Sequence, residues 1–393
     1  MSSQTQANRT VRFLAVGDVF FDRPAPAAHL PALSELLVTG DVVFGNCEGV
    51  YSDSADRAPH ARGPQITEPG QAQPLARLGF TVMSVANNHI IDGGHEGLRQ
   101  TLNLLHSQGI RTVGAASNLA EALKPAVLTT AGPRIAVIAV SSVFPMGYEA
   151  RIGVPGLAPL RAHTFYLNPT PDEWNPGVLP QVVTAIDDDD SEAIEQAIAE
   201  AREVADLVIV SVHWGDVTGR HRLTPHEPQA AELFVQAGAD LVLGHHQHTV
   251  RGVGFIGRTP IFYGLGHLAC DLPRLAEDLA RETTELWYAD EAAGLNALGS
   301  YGIFPRQGYP LLPFHPDARF TVVARCDLDQ NGVAEVGMYP CRIEPDGDVI
   351  PLAADEDEYL EYLVAGLAAV PDAAEVRPGN DGKWAYWQLL PRS

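Results

Sequence analysis

Two stretches of this chain bring together residue types that bind metals and move protons. Ala86-Asn87-Asn88-His89-Ile90-Ile91-Asp92-Gly93-Gly94 follows the apolar run Phe80 to Val85 and offers amide, imidazole and carboxylate groups. Gly244-His245-His246-Gln247-His248 follows Leu241-Val242-Leu243 and carries three imidazoles in four positions. Apolar runs of this kind read as buried parallel strands, and open α/β sheets place their ligands at the carboxyl ends of such strands. The other reading of the first stretch is a polar turn whose Asn and Asp satisfy backbone groups. A single His is usually a core or surface residue, whereas three so close together argue for ligands.

The same chemistry recurs at five strand ends: Gly17-Asp18, Asn46-Cys47-Glu48, Asn88-His89 with Asp92, His213-Trp214-Gly215-Asp216, and Gly244 to His248. Carboxylate, amide and imidazole donors gathered at one sheet edge suit a divalent metal of the Mn, Fe or Zn type. The donor count allows one or two ions, with Asp18 or Glu48 bridging. Strand periodicity sends His246 and His248 to one side as a ligand pair and His245 to the other.

The elements that position these residues alternate along the chain. Strand-like runs are Val11 to Asp18, Asp41 to Glu48, Phe80 to Asn88, Arg134 to Val140, Asp206 to His213 and Asp240 to His248. Helical patterns fall at Gly70 to Leu78, His95 to Gln108, Ser191 to Val204 and Pro225 to Ala237. This alternation predicts a layered α/β domain. Asp187 to Asp190 stand directly before a helical pattern, so they read as a cap on the positive helix end rather than a metal cluster.

Two aromatic, irregular segments interrupt the alternation, at about 144–184 and 270–319. The first contains Tyr148, Phe165, Tyr166 and Trp174; the second contains Trp287, Tyr288, Tyr301, Phe304, Tyr309 and Phe314. Insertions of this kind over a catalytic edge are expected to form substrate walls. A main domain over 1–320 is expected to carry a C-terminal portion, 321–393, of strands and a helix, Glu358 to Val370, packed on it.

Composition narrows the partners. The 393 residues, 46% of them hydrophobic, can fill a sizeable core. The net charge of -23 argues against nucleic acid or an anionic membrane. Cys47, Cys270, Cys326 and Cys341 are widely spaced, which argues against a disulfide framework and a thiolate zinc site. No signal peptide or membrane anchor can be placed in the sequence, so the expected location is cytoplasmic.

The ordered set Gly-Asp, Asn-x-Glu, Ala-Asn-Asn-His-x-x-Asp-x-Gly, His-Trp-Gly, Gly-His-His-x-His and Tyr263-Gly264-Leu265-Gly266 resembles the CapA/PgsA family of poly-γ-glutamate and capsule synthesis. The resemblance covers about Val11 to Leu268. It implies the calcineurin-like metallophosphoesterase fold, a two-layered β-sandwich flanked by helices with a metal centre at the strand ends. Asn88-His89-Ile90-Ile91-Asp92 is also similar to an element of nucleotidases in that superfamily. That likeness implies Asn88 as a metal ligand beside Asp18, Glu48, His213, His246 and His248, with His89 as acid/base and Asp92 orienting it.

Three departures stand out. The first strand reads Asp18-Val19-Phe20 where phosphatases of the superfamily have Asp-x-His, so one metal position lacks its imidazole. Gly266-His267-Leu268 replaces Gly-Asn-Phe and offers His267 as a further base. His213-Trp214-Gly215-Asp216-Val217 lacks the Glu of His-Trp-Gly-x-Glu.

These features favour peptide Cα epimerisation, an activity the resemblance implies together with soluble relatives in lasso-peptide biosynthesis, where a C-terminal tryptophan of a precursor is inverted. Removal of a Cα proton creates enolate charge that a metal can stabilise, with His89, ordered by Asp92, or His267 moving the proton. The alternatives are metal-dependent hydrolysis of a phosphoester or amide and a non-catalytic role in capsule assembly. A peptide is the expected partner.

Overall fold

The computed structural model describes residues 9–23, 30–275, 303, 308–353 and 356–392. Its first strand, Val11–Phe20, shows how the sequence builds the layers. Val11, Phe13 and Ala15 enter one apolar cluster while Leu14 and Val16 enter another, as expected of a strand buried on both faces.

Two sheets carry the architecture. The first is 10-stranded, with Val11–Phe20 between Val42–Cys47 on one side and Phe320–Asp329 on the other; Val82–Ser84 and Arg111–Val113 extend it beyond Val42–Cys47. The second is 6-stranded and has Leu207–His213 at its middle, paired in parallel with Ile135–Ser141 and Leu241–His245. One core lies between the sheets, where Phe13, Phe44 and Val82 share a cluster with Val137, Val210 and Val242. The other lies under helices on the outer face of the first sheet, where Leu33, Leu75 and Leu98 meet Leu14 and Val43. The chain is therefore a mixed α/β structure.

The expected helices form with shifted ends. His95 to Gln108 becomes Gly94–Ser107, and Ser191 to Val204 becomes Asp188–Val204. Asp187 caps the latter, its carboxylate accepting from the Asp190 amide at 3.2 Å. Gly70 to Leu78 divides into the 3-10 turn Pro69–Ala72 and the short helix Gln73–Arg77. Two strands stop earlier than their apolar patterns suggest, at Ser84 and at His245. The Asn88–Asp92 and His246–His248 groups consequently stand on loops just beyond the strands.

After residue 320 the chain adds strands to the first sheet. Phe320–Asp329 pairs antiparallel with Val11–Phe20, and Gly332–Ile343 pairs with it in turn. The first insertion serves two purposes. Phe144, Pro145 and Met146 line the main cavity, whereas Phe165, Tyr166 and Trp174 are exposed on or beyond the hairpin Ala162–Leu167/Gln181–Ile186. These three aromatics are not walls of that cavity. In the second insertion Ile303 and Phe314 line the cavity, while Trp287, Tyr288, Tyr301 and Phe304 lie outside the described residues. All four cysteines are buried and unpaired. Among the described residues no helix is long and apolar enough to cross a membrane.

Candidate metal centre

Parallel strands bring the donors together from distant parts of the sequence. Asp18, on the first strand, is in register with Asn46 on one neighbour and His267 on the other. Asn46 Nδ2 donates to Asp18 Oδ1 at 2.8 Å, and Asn87 Nδ2 donates to Asn46 Oδ1 at 3.1 Å. His213 ends the central strand of the second sheet. Its Nε2 lies 2.7 Å from Asn88 Oδ1 and 3.4 Å from Glu48 Oε1.

Two groups of donors result, all buried except the half-buried His246. Glu48, His213 and His246 form one; Asp18, His248 and His267 form the other, with the donor atoms of each group within 4.8 Å of one another. His248 and His267 stack at 4.6 Å, and Phe314 packs against both, 4.3 and 4.8 Å away. His267, expected as a base, thus stands among the metal-type donors. It reaches Asp18 from the neighbouring parallel strand.

The donor chemistry fits a divalent cation. Both Glu48 oxygens, both nitrogens of His245 and His267, and Nδ1 of His246 and His248 are buried without a hydrogen-bond partner. Such orphaned groups are costly to bury, and a cation taking one donor atom from each ligating side chain removes part of that cost. Burial acts to raise the Asp18 carboxyl pKa, but the imidazole of His248, whose Nδ1 lies 3.4 Å from Asp18 Oδ2, and the adjacent imidazoles His213 and His245 hold it well below the ordinary range. Burial and the charges of Asp18 and Asp92 push Glu48 far up. Two carboxylates competing for the same positive charge are what a divalent ion satisfies.

The imidazoles are kept neutral, the form that ligates. Burial, followed by neighbouring His246, holds His213 well below 6.5, and burial lowers His245 to about 4 and His246 to about 3. His245 departs from its expected orientation: its Nδ1 lies 3.6 Å from Asp18 Oδ1, and its ring lies 5.9 Å from that of Phe44. Strand alternation cannot sort His246 from His248 because both follow the strand end in left-handed backbone, at φ 94° and 56°.

His89 stands in the cavity wall, and its Nδ1 meets Asp92 Oδ2 at 2.7 Å. Asp92 is almost fully buried and also accepts from the Gln65 amide at 2.8 Å and the Tyr148 hydroxyl at 2.9 Å. These partners fix the carboxylate, and the carboxylate fixes the ring, leaving Nε2 for exchange with a ligand. Asn87 tightens the same loop by accepting from the His89 amide at 3.1 Å and donating to the Cys47 carbonyl at 2.8 Å. The Asn88–Asp92 stretch is therefore both a turn and part of the site.

The cavity is about 480 Å³; Glu48, Asn88, His89, His246 and His248 line its polar end, with Phe144, Met146, Leu272, Leu275 and Phe314 among its apolar walls. Sequence reasoning missed Asn46, Gln65, Tyr148 and His245 as parts of the site. Only Asn46 and His245 carried a signal, as polar residues at strand ends; Gln65 acts through its backbone and Tyr148 lies in an insertion.

Comparison with known proteins gives one consistent result. A family described as "Bacterial capsule synthesis protein PGA_cap" matches residues 12–272. An uncharacterised protein, y4sH of Sinorhizobium fredii, is 27% identical over 381 residues, 84% of this chain and 82% of that protein. "PGA biosynthesis protein CapA" of Bacillus subtilis is 29% identical over 59% of this chain, which spans 53% of that protein. A "probable polyglutamine synthesis accessory protein" of Mycobacterium tuberculosis is 31% identical over 59% of this chain and 56% of its own length.

Proposed function

Because the chain belongs to the bacterial capsule synthesis protein family PGA_cap, we propose that it is a metal-dependent hydrolase acting on an amide or phosphoester linkage of a capsule-type polyamide or related peptide. The layered sheets, with donors at the strand ends, support a metallophosphoesterase-like fold for it. The observation that carries the reading is the His89–Asp92 contact at 2.7 Å in the wall of a cavity that Glu48 and His246 also line.

Asp18, Glu48, Asn88, His213, His246, His248 and His267 are the residues that would hold one or two divalent cations of the Mn, Fe or Zn type. When bound, such a cation supplies Lewis-acid charge against an oxygen that becomes negative during reaction. His89 gives its Nε2 proton to the departing nitrogen or oxygen; Asp92 stabilises the imidazolium before that transfer and keeps the neutral ring oriented after it. Tyr148 and the Gln65 amide keep Asp92 in place. Phe144, Met146, Leu272, Leu275 and Phe314 give the cavity apolar walls that limit water around a bound substrate.

A second reading, epimerisation at a peptide Cα, draws support from those walls. Phe144, Met146, Leu272 and Leu275 suit an apolar side chain better than a polyanion. His89 would then exchange a proton with carbon. Incubation of the metal-loaded protein in heavy water with a γ-glutamyl oligomer, an apolar peptide and a phosphodiester separates the readings. Cleavage or released phosphate supports hydrolysis. Deuterium at one Cα of an intact peptide overturns it in favour of epimerisation, and three unchanged substrates favour a non-catalytic role in capsule assembly.

A further inference from the structure

Three separate loops border the imidazoles of the candidate metal centre: His213 ends the strand before the first, His246 and His248 lie on the second, and His267 begins the strand after the third. One follows Leu207–His213, one follows Leu241–His245, and one joins Thr259–Phe262 to His267–Cys270. A single side chain reaches all three. Gln247, flanked by His246 and His248, is 1% exposed, and its Nε2 donates to Glu227 Oε1 at 3.0 Å and to the Tyr263 carbonyl at 2.9 Å. That same carbonyl accepts from the indole Nε1 of Trp214, the residue after His213, at 2.9 Å.

Two glycines make room for this arrangement. A Cβ on Gly215 would stand 2.6 Å from Gln247 Nε2, and one on Gly264 would stand 2.7 Å from Gln247 Oε1. The loops on either side are thus shaped around the amide. Glu227 is itself fully buried and is held from its other oxygen by the Thr224 amide and hydroxyl, at 2.5 and 2.8 Å. Gln247 therefore hangs from a fixed carboxylate on the helix His226–Ala237.

The turn it pins needs such support. His246 and His248 both adopt positive φ, a conformation that L residues with side chains keep only where the surroundings impose it. An apolar residue of the same size could fill the volume at 247, but it would leave Glu227 Oε1 without its donor. A carboxylate there would face Glu227 directly.

We infer that Gln247, anchored by Glu227, is a positioning residue that holds His246 and His248 in ligating geometry and couples their turn to the loop that follows His213 and the loop that precedes His267. This rests on the reading of those histidines as metal ligands. Groups behind the ligands set ligand orientation, and their removal typically costs about 10- to 100-fold in metal affinity.

The test uses the full chain loaded with Co²⁺, read by visible absorption, Co²⁺ affinity and thermal melting. Gln247→Met should change the absorption spectrum and weaken Co²⁺ binding about 10- to 100-fold. Leu105→Ala, a truncation in the other core, should lower Tm while keeping the wild-type spectrum and affinity. Glu227→Gln should shift the spectrum in the same direction as Gln247→Met, and it decides the matter if Gln247→Met does not fold. A wild-type spectrum and affinity in the folded Gln247 or Glu227 variant overturns the inference, whatever happens to Tm. A wild-type chain that binds no Co²⁺ overturns the metal-site reading and this inference with it.

Discussion

Asp18 and His267 sit in register on adjacent parallel strands, and their side chains meet in one buried group with His248. The approach is close because Gly17 lies against Gly266: the Asp18 amide donates to the Gly266 carbonyl at 3.0 Å, and a Cβ on Gly17 would fall 1.9 Å from that oxygen. An imidazole from the neighbouring strand thereby comes to lie beside Asp18.

If His267 is a ligand, His267→Ala lowers the bound divalent metal by about one ion per chain or abolishes binding at that position. Metal analysis after dialysis against Mn²⁺ or Zn²⁺ measures this. A variant with full metal content and no activity would instead identify His267 as a base.

His89→Ala should keep its metal and lose turnover by about 100- to 10,000-fold, the usual worth of a positioned acid or base. His246→Ala should lose metal and turnover together. An emptied site in His89→Ala would contradict the acid/base role.

Tyr148→Phe removes the hydroxyl that donates to Asp92 at 2.9 Å. With the Gln65 amide still in place, the expected loss is about tenfold in kcat, roughly 1.4 kcal/mol of transition-state stabilisation, with metal content unchanged. Unchanged kcat would show that the Gln65 contact alone fixes Asp92.

Gly17→Ala should destabilise the fold by at least about 1–3 kcal/mol, because its methyl group collides with backbone rather than a side chain that could move. Chemical denaturation measures the change. A stability equal to wild type would mean that the two strands separate readily.

Acidification should destabilise the metal-free chain. Burial lowers His245 from 6.5 to about 4 and His246 to about 3, and it also lowers His213 and His267. Between pH 6.5 and 4 the unfolded chain takes up protons at these positions that the folded chain refuses, so stability falls as pH falls. Glu48, Glu227, Asp240 and Asp271, all raised by burial, act in the opposite sense, but burial also lowers His221 and His226 to about 4, so six lowered imidazoles stand against four raised carboxyls. Thermal melts at pH 7.5 and 5.0 should show the lower Tm at pH 5.0; an equal or higher value contradicts the burial of neutral imidazoles.

The sequence by itself determined the α/β alternation, a helix ending at Val204 with the aspartates 187–190 at its start, and a set of donors following apolar runs. These are local properties: periodicity, capping and composition are legible wherever neighbouring residues decide the conformation. It also carried the spacing that lets His89 meet Asp92, since the two stand three positions apart on one turn.

Only the tertiary structure decided which donors share a group. Strand register placed His267 beside Asp18, loop backbone at positive φ turned His246 and His248 to the site, and His245 turned toward Asp18 rather than away. Tyr148 reached Asp92 from an insertion, and Gln247 joined three loops through one amide. Each of these depends on pairing between segments far apart in sequence, where a shift of one residue changes every partner and local pattern holds no record of the choice.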